Sequence, residues 1–162
     1  MKIKLLVTGG SIDKRYNEIS EKMVLKETHM HHMLKRSRNR LNISIEELMM
    51  VDSLDMKEYQ RKKILEACQK SSAKNIAISH GTSTVVETAK FLGENIDNKT
   101  IVLFGAMIPT GVKESDALFN LGCALTAVQI LDPGVYITMN GKIFSWDNVM
   151  KNTKLGEFQE VE

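Results

Sequence analysis

Small hydroxyl residues collect where apolar runs of this sequence give way to turns. Thr8 and Ser11 flank Gly9-Gly10 in LLVTGGS, Ser53 stands in DSLDM, and Thr82, Ser83 and Thr84 follow His80-Gly81. A hydroxyl at its ordinary pKa is a poor nucleophile; with a base beside it, it can attack a carbonyl carbon. Hydroxyls beside unpaired backbone N–H groups at a helix N-terminus can also bind a carboxylate or stabilise an oxyanion. The same residue types serve as helix caps and turn formers. From the residues alone both readings stand.

Positioning such groups together requires elements that deliver them to one place. Ile3, Leu5, Leu6 and Val7 form a strand-forming run stopped by Gly9-Gly10, the pattern of a buried strand ending in a tight turn. Further strands are expected over Asn42–Val51, Asn75–Ser79, Thr100–Phe104 and Val135–Met139. Asn140-Gly141 is a hairpin turn signal, and Lys142–Trp146 reads as the returning strand. Helical spacing of apolar residues marks Asn17–Arg40, Lys57–Ser71, Val85–Leu92 and Ala117–Leu131. Thr84 with Glu87 makes a capping-box pattern, and Ser115 or Asp116 caps the last helix. Lys154–Glu162 reads as a polar tail, either disordered or docked on a neighbour. This alternation predicts an α/β fold: a doubly wound, mostly parallel sheet with flanking helices and a C-terminal β-hairpin, one domain over residues 1–162. In such a sheet the loops after the strands line one edge, where ligands bind.

The totals narrow the function. A net charge of +2 is too small to imply nucleic acid or an acidic membrane as partner. No stretch has the length of a bilayer span, and Lys2 and Lys4 lead at once into strand and turn rather than a signal-peptide core. Cys68 and Cys123 are expected as free thiols in a reducing compartment, so the default location is cytoplasmic. Among His29, His31 and His32 only His29 and His32 have ligand spacing on a helix, and no Asp, Glu or Cys completes a set, so no metal is expected. Lys35, Arg36, Arg38 and Arg40 read as the basic end of a helix, without the interleaved aromatics of a nucleic-acid surface.

The stretches TGGSID, DSLDM, HGTSTVVETAKFL and GAMIP, followed by SDALFNLGCALTAVQILDPGVYITMNGKIFSWDNVMKN, closely resemble the N-terminal domain of bacterial-type L-asparaginases, in the family's order. The resemblance covers nearly the whole chain and implies a Rossmann-like domain. It implies that Ser11 is the nucleophile that attacks a side-chain amide, and that Ser53, flanked by Asp52 and Asp55, holds the substrate's α-carboxylate. Thr82 matches the family's second threonine and Lys151 its catalytic lysine. Taken alone, Lys151 would read as an ordinary surface lysine. No cofactor is implied; the partner is a small amino acid or amide, and homo-oligomerisation is expected by analogy.

Three departures qualify the match. Ser11 stands where the family has threonine, so the χ1 restraint of a β-methyl is lost. Ser83, grouped with Ser11, Thr82 and Lys151 in the catalytic set, stands where the family's aspartate binds the substrate ammonium. Losing a charge-assisted hydrogen bond costs on the order of 1.5–3 kcal/mol, roughly ten- to a hundredfold in transition-state binding. The resemblance stops at the family's N-terminal domain, so a single-domain protein without the C-terminal domain is expected, similar to short asparaginase-like proteins; the segment after Ser11 is short for a lid, with Tyr16 able to supply a phenol. The expected activity is hydrolysis of L-asparagine or a related small amide. The alternative is a weak or inactive relative that binds a small amide as a sensor or partner subunit.

Overall fold

Strand β1 (Lys2–Gly9) is buried on both faces, and its apolar run is continuous for that reason. The structure, a computed structural model, describes residues 1–161. β1 lies between β4 (Asn42–Val51) and β5 (Asn75–Ser79), parallel to both. β6 (Thr100–Phe104) and β7 (Gly134–Met139) extend the parallel sheet, and β8 (Lys142–Ser145) closes it antiparallel, in the order β4-β1-β5-β6-β7-β8. The turn into β8 has both Asn140 and Gly141 at positive φ (50° and 87°), the type I′ geometry that the Asn-Gly pair foretold.

Alternate residues of the strands face opposite layers. Leu6, Ile76, Ile78, Ile101 and Leu103 pack against α2 (Glu58–Lys70) and α3 (Val85–Gly93). Ile3, Leu5, Val7, Val102 and Phe104 pack against α1 (Met30–Arg36) and α4 (Ala117–Ile130). The doubly wound α/β sheet with its terminal hairpin is therefore as expected.

Two expectations fail. The helix over Asn17–Arg40 is instead a hairpin, β2 (Lys14–Asn17) with β3 (Lys22–Leu25), followed by the short α1. Asn17 Oδ1 accepts from the Ile19 and Ser20 amides, and Glu21 adopts a φ of 54°; together these turn the chain where a helix would run on. The polar tail also folds. Glu157–Gln159 (β10) pairs antiparallel with Met150–Asn152 (β9), because Phe158 inserts into the core at 3% exposure. Glu162, the end of that tail, lies outside the described residues.

Candidate active site

Four loops at the C-terminal ends of the parallel strands meet through glycines. Gly9 and Gly10 take φ of 95° and 84°, conformations that favour glycine. A Cβ on Gly10 would overlap the Gly81 backbone, and one on Gly81 would overlap the Ser53 side chain. A Cβ on Gly105 would fall 2.5 Å from the His80 carbonyl oxygen and 3.1 Å from the Thr82 methyl. Ser11 and Thr82 each lie one residue beyond a glycine of the touching pair. The loops after β1, β4, β5 and β6 thus converge by backbone contact.

Ser11 opens a single 3-10 turn, Ser11–Asp13, which is held from two sides. The Thr110 hydroxyl donates to the Ile12 carbonyl at 2.5 Å. The buried Asp13 carboxylate accepts from the His29 amide at 2.7 Å and the Thr28 hydroxyl at 3.1 Å. Burial pushes the Asp13 carboxyl above the ordinary range, more than these hydrogen bonds pull it down.

Ser53 is buried, and its carbonyl accepts the Thr84 hydroxyl at 2.8 Å. That bond overturns the expected capping box: Thr84 reaches across to the Ser53 loop, while Glu87 pairs with Arg61 at 2.8 Å. Asp52 is engaged with Lys14 at 2.5 Å and caps the Leu54 amide, and the Lys14 ammonium holds its carboxyl below the usual range. Asp55 is exposed. At the head of α4, Ser115 Oγ accepts from the Ala117 amide. Asp116 turns away to the Met107 and Ile108 amides at 3.1 and 3.0 Å and to Asn120 and Asn140, so it braces the loop after β6. Burial opposes its ionisation, but those hydrogen bonds together keep its carboxyl below the usual range.

Lys151, in β9, brings its Nζ within 2.9 Å of Thr82 Oγ1. The half-buried ammonium lies 6.0 Å from the centroid of the Phe158 ring, its cross-strand neighbour, and among the described residues no carboxylate pairs with it. Desolvation lowers its pKa, the direction a base requires. Ser83 is exposed and makes no side-chain hydrogen bond among the described residues.

Sequence reasoning missed the support beneath Thr82. The His80 ring is fully buried, with Nδ1 2.9 Å from the Gly81 carbonyl and Nε2 2.8 Å from Thr88 Oγ1. A carbonyl can only accept, so Nδ1 carries the proton and Nε2 accepts from Thr88. Arg61 Nε donates in turn to Thr88 Oγ1 at 3.2 Å. Burial depresses the His80 pKa to about 4, so the ring is neutral at pH 7. Gly81 is the next residue and Thr88 lies eight positions on, a spacing that matches no helical or strand period, while Arg61 comes from a distant segment; a lone histidine at the end of an apolar strand was the one available sign. Among the described residues no group of His, Cys, Asp or Glu could hold a metal, and no helix is long and apolar enough to cross a membrane.

Comparison with known proteins places the chain in a family. A family model described as asparaginase, N-terminal, matches residues 2–161. An L-asparaginase of Thermococcus kodakarensis is 30% identical over 99% of this chain and 51% of its own length. A "Probable L-asparaginase periplasmic" of Haemophilus influenzae is 29% identical over 93% of this chain and 46% of its own. Among solved structures, the thermostable L-asparaginase from Thermococcus kodakarensis superposes with a TM-score of 0.88 at 29% identity, covering 99% of this chain and 51% of that one. A "Probable Cytoplasmic L-asparaginase" from Campylobacter jejuni superposes with a TM-score of 0.79 at 28% identity over 98% and 51%. The chain spans about half the length of these relatives. By the match along its length and the fold it shares with them, the chain belongs to the asparaginase family and corresponds to that family's N-terminal domain.

Proposed function

We propose that this chain hydrolyses the side-chain amide of L-asparagine, or of a related small amide, to the carboxylic acid and ammonia. The observation that carries the reading is the 2.9 Å contact between Lys151 Nζ and Thr82 Oγ1, made by a lysine that burial has made easier to deprotonate. Neutral Lys151 takes the Thr82 hydroxyl proton, and Thr82 in turn relays basicity to Ser11, whose loop abuts its own. Ser11 Oγ then bonds to the amide carbon; the C–N bond breaks, and nitrogen leaves as ammonia with the transferred proton. Water hydrolyses the resulting ester and restores the serine hydroxyl. Backbone N–H groups near Gly10–Ser11 or Thr82 would hold the oxyanion.

Ser53 would bind the α-carboxylate. Asp52 would act through Lys14, to which it is already paired, and Asp55 from the exposed rim of the same turn. A cytoplasmic location belongs to the same reading, supported by the free Cys68 and Cys123. A second reading, binding of a small amide without turnover, is favoured by the uncharged, exposed Ser83 where the family's ammonium-binding aspartate stands.

Ammonia release from asparagine, measured for the chain and for Ser11→Ala, separates the two. Hydrolysis predicts release by the first and none above background by the second. Equal release by both would contradict the assigned nucleophile. A rise in Tm with asparagine, unaccompanied by ammonia, would favour the binding reading.

A further inference from the structure

Two cavities adjoin where α1 meets the loop after β6. The first, of about 300 Å³, is lined by His29, His32 and Arg36 together with Thr110 and Gly111. The second, of about 400 Å³, shares Arg36, Thr110 and Gly111 and extends to Lys113 and Glu114. His29, His32 and Arg36 stand at i, i+3 and i+7, the spacing that lines one face of a helix.

The charge in this groove is uncompensated. Arg36 and Lys113 pair with no carboxylate among the described residues. Glu114 lines only the second cavity and bridges to neither cation. His29 adds a separate sign: its Nε2 is buried without a hydrogen-bond partner, a costly state for a polar atom. The other basic cavity, about 300 Å³ among Lys2, Lys4 and Lys70, differs in this respect. There Glu46 holds Lys4 at 2.6 Å and Glu66 holds Lys70 at 3.4 Å, so much of its charge is already neutralised.

We propose that the first cavity binds a phosphate group, either free phosphate or the phosphate of a small monoester. The Arg36 guanidinium offers a planar fork of N–H donors to two phosphate oxygens. The His29 and His32 imidazoles beside it each supply a further N–H, and Lys113 adds a point charge from the adjoining cavity. A carboxylate would be matched by the guanidinium alone; two cations and two imidazoles suit a dianion with several oxygens. The body of an ester would extend into the second cavity, where Glu114 accepts from its hydroxyls. No aromatic side chain lines either cavity to stack a base, which argues against a nucleic-acid strand. The site also bears on the Ser11 turn. Thr110 Oγ1 donates to the Ile12 carbonyl at 2.5 Å, and the His29 amide donates to the Asp13 carboxylate at 2.7 Å. A ligand that fixes α1 against the Thr110 loop steadies both bonds.

Calorimetric titration of the full chain with inorganic phosphate, at constant ionic strength in chloride, tests the site. Saturable one-to-one binding with a Kd of about 1 mM or below is expected. Arg36→Ala should weaken it at least about tenfold and His32→Ala at least about threefold. Lys35→Ala removes a charge one residue away that lines neither cavity, and should leave the affinity unchanged. All three positions are exposed and alanine favours the helix, so loss of binding cannot be ascribed to misfolding. Bound phosphate should slow hydrogen exchange over residues 11–14, 28–36 and 109–114. Ribose 5-phosphate distinguishes the sources: tighter binding than phosphate assigns the site to an ester, equal binding to free phosphate. Absence of saturable binding, equal weakening by Lys35→Ala and Arg36→Ala, or protection centred on Lys2 and Lys70 would each overturn the proposal. None of these readouts depends on amide hydrolysis, so either reading can fail alone.

Discussion

Replacing Lys151 by methionine removes the ammonium and keeps most of the side chain's apolar length over the Phe158 ring. Two losses follow. The Thr82 hydroxyl loses its partner, worth about 1 kcal/mol, and the cation–π contact contributes about 0.5–1 kcal/mol at such a position. For a domain of this size each kcal/mol corresponds to a Tm shift of about 2–4 °C, so Lys151→Met should melt only a few degrees below the parent. Catalysis should suffer far more, because a general base typically contributes 10²–10⁴-fold. The assay is steady-state ammonia release from asparagine beside a thermal melt of the same samples. The parent rate should also rise with pH, as the neutral amine accumulates toward a folded pKa below 10.5. Burial disfavours the charged lysine in the folded state, so its penalty to stability is present at low pH and is relieved as pH rises from the folded pKa toward 10.5. Lys151→Met should lose both dependences. A rate within tenfold of the parent, with the same pH profile, would refute the role given to Lys151.

Three further outcomes are expected. Ser83→Asp should raise kcat/KM for asparagine by roughly ten- to a hundredfold if an ammonium subsite is what the serine lacks; an unchanged value for an active enzyme would point to a substrate without a free amino group. His80 binds no proton in the folded state until pH falls to about 4, whereas the unfolded chain protonates near 6.5; stability should therefore fall by about 3 kcal/mol between those limits, as read by urea denaturation at each pH. For Asp13 the sign is opposite: its folded pKa lies above 3.8, so its contribution falls as pH rises from 3.8 through that pKa. Asp13→Asn should abolish that dependence in the same denaturation series and keep an acceptor for the His29 amide, whereas Asp13→Ala should cost about 1–3 kcal/mol.

Much of the frame was legible because it rests on local pattern. Leu5, Leu6 and Val7, Ile76–Ile78 and Ile101–Phe104 are continuous apolar runs because those strands are covered on both faces, and Asn140-Gly141 specifies its own turn. The Asn17–Arg40 segment misled because Met23, Leu25, Met30 and Met33 mimic a helical spacing that the Asn17 side chain breaks. Phe158 was hidden as a single aromatic residue in a polar stretch, although its burial is what folds β10 onto β9 and aims Lys151. The Thr84–Glu87 box failed because Ser53 and Arg61, distant in sequence, compete for the same two side chains. At the site, hydroxyl-bearing loops along one sheet edge followed from the alternation of elements. The role proposed for Lys151 came only through the family resemblance; the Arg61–Thr88 link and the Asp13–Thr28–His29 support are long-range, and the eight-residue step from His80 to Thr88 fits no helical or strand period, so none left a signature.

The most direct test of the hydrolytic account is to quench the chain during turnover of asparagine or a slow amide analogue and map the acylated residue by peptide mass spectrometry. An ester on Ser11, absent from Ser11→Ala and strongly slowed in forming in Lys151→Met, is the predicted result. Ammonia release with the acyl group on Thr82, or unimpaired release by Ser11→Ala, would contradict it.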